Sequence, residues 1–159
     1  MKLIVSGSRS VLDRAKIFTT LDAFTSRQKE PLEIVCGMAH GPDMIGREWA
    51  TKNNVPVKEF PADWRNLTAP GARIKDLPDG TKYNCKAGLE RNFRMAQYAD
   101  AAICFWDGRS FGTKNMIEIM RNKFKKPVTV IYTDNTRPPR KLKGEAGLTS
   151  SRSGRNLPL

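Results

Sequence analysis

Three short segments gather the groups that can hold an anion. Gly7-Ser8-Arg9 follows a glycine with a hydroxyl and a guanidinium, and Gly37-Met38-Ala39-His40-Gly41 leads to Asp43. Asp107-Gly108 leads through Ser110 to Gly112-Thr113. Glycine lets backbone N–H groups approach an anion, hydroxyls donate to it, and a guanidinium grips phosphate through a planar fork. A glycine after a strand is also an ordinary turn residue, so the weight lies in finding three such turns together. None has the GxGxxG spacing of a dinucleotide fingerprint or the GxxxxGK[ST] spacing of a phosphate loop, which argues against a standard NAD dehydrogenase and a P-loop NTPase. The expected ligand-binding set from these turns is Gly7, Ser8, Arg9, Gly37, Ala39, His40, Gly41, Asp43, Asp107, Gly108, Ser110, Gly112 and Thr113. Several have a plainer alternative. Arg9 could form a surface ion pair, and Asp43 could serve the amides of a helix start rather than a ribose hydroxyl. His40 is the sole histidine, and no catalytic triad or metal set can be assembled around it. Trp64 and Trp106 could stack on a base or fill the core.

These turns need a scaffold that brings them to one edge. Lys2–Ser6, Leu32–Cys36, Pro56–Phe60, Ala101–Trp106 and Val128–Tyr132 are short apolar runs rich in β-branched residues. They alternate with stretches whose apolar residues recur at helical spacing: Val11–Arg27, Asp43–Asn53, Lys86–Tyr98 and Phe111–Phe124. Alternating strand and helix predicts an α/β fold, a three-layer Rossmann-like domain with a five-stranded, mostly parallel sheet. In such a sheet the first, second and fourth strands end at the three glycine turns, which then share the carboxyl edge where ligands bind. The stretch from residue 61 to 85, broken by Pro61, Pro70, Gly71, Pro78 and Gly80, reads as a long irregular loop.

Composition narrows the partners. The 159 residues carry 28 Lys and Arg against 16 Asp and Glu, a net charge of +12. That favours polyanions and nucleotides. Arg137, Arg140, Lys141, Lys143, Arg152 and Arg155 against Glu145 leave +5 beyond residue 134 and +7 before it. The expected organisation is a domain over 1–134 and a basic, flexible tail over 135–159, either a solubilising segment or an arm for nucleic acid. No apolar run suits a membrane span or a signal peptide, and three widely spaced cysteines suit neither a disulfide scaffold nor a zinc site. A cytoplasmic protein with no metal, no cofactor and no membrane partner is expected, and a homo-oligomer is plausible.

Further motifs join the three turns: Phe60-Pro61-Ala62-Asp63-Trp64, Ala87-Gly88-x-x-Arg91-Asn92-x-x-Met95 and Ala99-Asp100. In this order, across residues 1–132, the chain resembles the SLOG superfamily in its YspA-like, cpYpsA-related branch. The resemblance implies a Rossmann-like domain that binds a nucleotide or nucleotide-derived ligand, and it adds Arg91 and Asn92 to the expected site, facing phosphate or base unless they pair structurally. Some relatives cleave nucleoside monophosphates, others sense NAD- or ADP-ribose-derived signals, and one branch handles single-stranded DNA. This chain departs from the pattern in three places. Its segment from Arg65 to Cys85 is longer, and position 36 is Cys where glycine is common. The glutamate that follows the last turn in phosphoribohydrolases is replaced by Lys114, Asn115 and Met116, so that Glu118 is the first carboxylate.

The resulting expectation is binding of a small phosphate-bearing nucleotide derivative, ADP-ribose-like, at the carboxyl edge. Two alternatives stand beside it. One is an N-glycosidic hydrolase or transferase that steadies a ribosyl cation with Asp43, Asp107 or Glu118. The other is a nucleic-acid-binding protein that uses the basic tail.

Overall fold

The structure, a computed structural model, describes residues 1–133 and 141–143. Its elements run β1 (Lys2–Gly7), α1 (Arg14–Thr25), β2 (Glu33–Cys36), α2 (Pro42–Lys52), β3 (Val57–Glu59), β4 (Ile74–Asp76) and β5 (Lys82–Asn84). Then follow α3 (Ala87–Tyr98), β6 (Ala101–Trp106), α4 (Phe111–Glu118) and β7 (Val128–Tyr132). The main sheet has the order β3-β2-β1-β6-β7, and every neighbouring pair in it is parallel. The α/β, Rossmann-like architecture is thus present with all five strands parallel.

Side-chain alternation builds the three layers. Leu3, Val5, Ile103 and Phe105 point to one face, where Ile17, Leu21 and Phe24 of α1 and Trp49 of α2 cover them. Ile4, Cys104 and Trp106 point to the other, against Met95 of α3 and Met116, Ile117 and Met120. Strand residues of opposite parity feed different cores, so the central strands β1, β2 and β6 run apolar, while the edge strand β3 (Val57-Lys58-Glu59) is largely exposed. Burial pushes the Cys36 thiol up to about 11 and the Cys104 thiol up to about 12, which keeps both protonated and unreactive.

The helices begin and end where local chemistry directs them. Asp13 caps α1 by accepting the Lys16 N–H at 3.0 Å. Ser110 caps α4, accepting the Thr113 N–H at 3.4 Å. Lys126 Nζ closes the far end of α3 on the carbonyls of Ala96 and Gln97, at 2.9 Å each. The helix expected over 111–124 is instead α4 followed by a π-helical turn, Ile119–Lys123.

The segment read as an irregular loop contains an antiparallel hairpin, with Ile74 paired to Asn84 and Asp76 to Lys82. Its strands are three residues each and largely exposed, so no apolar alternation marks them. Its turn is marked. Leu77-Pro78-Asp79-Gly80-Thr81 has the Pro-Asp-Gly order of a tight reversal, Gly80 takes φ +81°, and Asp79 accepts the Thr81 N–H at 2.8 Å.

Candidate functional site

β1 is the point where strand order reverses: β2 and β3 lie on one side, β6 and β7 on the other. Gly7, the last residue of β1, pairs in register with Phe105 of β6. The first and third turns therefore emerge side by side at this switch point, where an open parallel sheet leaves a crevice. A cleft of about 470 Å³ occupies it, within the range of small-molecule sites. Of the sequence-predicted residues, Gly7, Arg9, Ala39 and Asp43 line it from the first two turns. Arg91 and Asn92 line it from α3, and Asp107, Ser110, Gly112 and Thr113 from the third turn.

The third turn is rigid and ends in an open helix start. Asp107 Oδ1 accepts the N–H groups of Arg109 and Ser110, both at 2.8 Å. Asp107 Oδ2 accepts the Ser10 hydroxyl at 3.1 Å, and the Asp107 N–H donates to Ser8 Oγ at 3.1 Å. Burial works against ionisation of Asp107, but these N–H and hydroxyl donors outweigh it and hold the carboxyl below its usual range. Its oxygens are occupied by its own chain. Ser8 is buried behind the cleft and locks the first turn to the third. Asn92 does the same from α3, donating to Gly112 O and Asn115 Oδ1 at 3.1 Å each. With Thr113 capped by Ser110, the N–H groups of Phe111 and Gly112 form the free end of α4. Among the described residues, nothing lies within 4 Å of where a Gly112 side chain would begin.

The second turn is closed from within. Gly37 N–H donates to Asp43 Oδ2 at 3.1 Å, and Arg91 donates through Nη1 to Gly37 O and through Nε to Asn92 Oδ1 at 3.0 Å. A Cβ on Gly37 would fall 2.6 Å from Asp43 Oδ2 and 2.8 Å from Arg91 Nη1. This glycine makes room for a buried carboxylate and a buried guanidinium of the same chain. Burial pushes the Asp43 carboxyl from 3.8 up to about 6; the charge of Arg91 is the main influence pulling the other way. Desolvation in turn lowers Arg91, with Asp43 opposing and the positive charge of Arg9 adding to the fall. The Ser6 hydroxyl and the Ala39 and Gly37 N–H groups also favour the charged form of Asp43, but less than burial opposes it, and among the described residues no donor reaches the buried Oδ1 in full hydrogen-bonding geometry.

The Asp43 shift has a stability consequence. The folded state holds this proton more tightly than the unfolded chain does, so stability from this group is greatest below about pH 4 and is lost as pH rises toward and through about 6. The gap between 3.8 and about 6 corresponds to roughly 3 kcal/mol. Urea unfolding from pH 4 to 8 should show the wild type losing stability relative to Asp43→Asn over this window. Parallel profiles for the two proteins would show that Asp43 titrates normally.

Other expected residues stand apart. Gly41 (φ +94°) and Gly108 (φ +77°) shape the turns and do not line the cleft. His40 is exposed and outside it. Glu118 accepts the Lys143 N–H at 2.8 Å, lies 3.7 Å from Lys114 Nζ and is not part of the lining. Trp106 is fully buried and donates from Nε1 to Ser110 O at 3.0 Å. The tail expected over 135–159 lies outside the described residues except for 141–143, where Leu142 is buried against the core under α4. Among the described residues no group of three His, Cys, Asp or Glu side chains is placed to hold a metal, and no helix is long and apolar enough to cross a membrane.

The cleft also has walls not included in the expected site set: Trp64 and Cys85 from the 61–85 segment, Gly88 and Leu89 from α3, and Phe111. An exposed aromatic beside a capping serine, as in Ser110-Phe111, was the available signal.

The Gene 61 protein of Mycobacterium phage D29 is 29% identical over 136 residues, which span 82% of this chain and 94% of that protein. No solved structure matches the chain. The stretch 1–67, holding β1 to β3, the first two turns and Trp64, matches the YspA, cpYpsA-related SLOG family. Over residues 1–67, set in an all-parallel Rossmann-like sheet, the chain is thus similar to the YspA, cpYpsA-related SLOG family.

Proposed function

We propose that the protein binds a small phosphate-bearing nucleotide derivative, of the class that includes AMP and ADP-ribose, in the cleft at the switch point. The similarity of residues 1–67 to the YspA, cpYpsA-related SLOG family suggests nucleotide-derivative binding in general. The observation that carries the finer reading is the free start of α4 in a cleft that also holds Arg9. Phe111 and Gly112 offer N–H groups and the positive end of the helix, and Arg9 is an exposed cation on the same cleft. Arg9 and Arg91 stand close enough for their charges to oppose each other. A phosphate between them relieves that repulsion. In this reading residues 1–134 form one nucleotide-binding domain, with 61–85 as an insert in its wall.

One observation favours a second reading. Among the described residues Asp43 is the one of the three candidate carboxylates with a buried oxygen that no donor reaches in full hydrogen-bonding geometry, it lines the cleft, and burial pushes its carboxyl up to about 6. A carboxyl poised there can exchange a proton near neutral pH or steady a ribosyl cation.

A panel of nucleoside monophosphates, ADP-ribose and cyclic nucleotides, read by thermal shift and product chromatography, separates the two. Binding predicts a saturable rise in Tm with intact ligand recovered. Turnover predicts free base, abolished in Asp43→Asn. A panel in which no compound shifts Tm or is consumed would overturn both.

A further inference from the structure

We propose that Trp64, presented by the 61–85 insert, is the platform on which the nucleobase of the ligand stacks, with Phe111 as a second apolar wall. The inference rests on the nucleotide reading and assigns the half of the ligand that the phosphate contacts leave open.

The three tryptophans differ sharply in environment. Trp49 and Trp106 are 1% and 0% exposed, whereas Trp64 is 36% exposed and Phe111 is 61% exposed. Both exposed rings line the same cleft as Arg9 and Gly112. Two large aromatics kept exposed along the same cleft leave apolar surface that a planar apolar group would cover well. Every nucleobase offers such a face.

Trp64 is also held in place. Its indole docks tip-first on α3: a Cβ on Gly88 would lie 2.9 Å from Cη2 and 3.6 Å from both Cζ2 and Cζ3. Tyr83 meets it edge-wise, with ring centroids 6.4 Å apart. The Trp64 carbonyl accepts the Asn84 N–H at 2.8 Å, which staples the two ends of the insert together. Asn84 is fully buried, and its Oδ1 accepts the N–H groups of Arg73 at 3.2 Å and Lys86 at 3.1 Å. The hairpin therefore hangs from a fixed base, and the ring beside that base needs little ordering when a ligand arrives.

The test compares AMP with ribose 5-phosphate, which carries the phosphate and sugar without the base, on the full chain. Affinities are read by calorimetry and Trp64 by its emission. AMP is expected to quench the exposed tryptophan and to bind more tightly than ribose 5-phosphate. In Trp64→Leu the AMP affinity should fall about 5- to 100-fold, toward that of ribose 5-phosphate, as loss of one stacked base predicts. Ribose 5-phosphate binding should be unchanged. Trp64→Phe should keep most of the AMP affinity and guards against a folding defect in the leucine variant, which its Tm will reveal. Equal wild-type affinities for the two ligands, or an equal loss of both in Trp64→Leu, would overturn the base platform while leaving the phosphate site standing. Absence of binding by either ligand would overturn the proposed function and this inference with it.

Discussion

Alanine at position 7 is expected to destabilise the protein by about 3 kcal/mol, lowering Tm by roughly 6–12 °C. The added Cβ would lie 2.4 Å from the Phe105 carbonyl oxygen and 2.6 Å from Pro42 Cγ. Neither neighbour can easily yield. Phe105 O already accepts the Ser8 N–H at 2.9 Å in the join between β1 and β6, and Pro42 is the buried first residue of α2. The methyl must push apart the two central strands at the switch point or displace α2. Overpacking of this kind costs about 1–3 kcal/mol, and weakening the Ser8 bond adds about 1. Urea and thermal unfolding of Gly7→Ala measure the loss directly; a change within 1 kcal/mol would mean that the strand ends are not held this tightly.

Aspartate at position 112 should behave in the opposite way: stability held or raised by a few tenths of a kcal/mol, and nucleotide affinity reduced at least 100-fold. Among the described residues no atom lies within 4 Å of a Cβ at position 112, so the added side chain meets no clash with them there. A glycine in a helix costs about 0.5–1 kcal/mol relative to alanine, and a carboxylate in the first turn favours the helix dipole. The same carboxylate occupies the region where the phosphate is proposed to sit and repels it. Thermal melting checks the first half and calorimetry with AMP and ADP-ribose the second. Undiminished affinity in a stable Gly112→Asp protein would move the phosphate away from α4.

These two glycines show how far the sequence could be read. The central strands were legible because they are buried on both faces and so run apolar, as in Ala101–Trp106, whereas the edge strand Val57–Glu59 is largely exposed and was marked mainly by its place in the alternation. The convergence of the turns at one edge followed from parallel topology alone. The purpose of each glycine did not. Gly7, Gly37 and Gly112 look alike in sequence, yet the first is filled by a neighbouring strand and helix, the second by Asp43 and Arg91, and the third by nothing. That distinction depends on contacts between residues up to about a hundred positions apart, which local pattern cannot carry. The hairpin at Ile74–Asn84 escaped for a related reason. Its strands are held by backbone pairing and by Asn84 rather than by an apolar face, so Pro78-Asp79-Gly80 was its one visible mark.

The phosphate site at the start of α4 is tested most directly by amide spectra of the 15N-labelled protein titrated with AMP. The largest shifts are expected at Phe111, Gly112 and Arg9. Gly37, whose N–H is already bonded to Asp43, should move little. Saturable shifts confined to other elements, or spectra unchanged by AMP and ADP-ribose at millimolar concentration, would contradict the account.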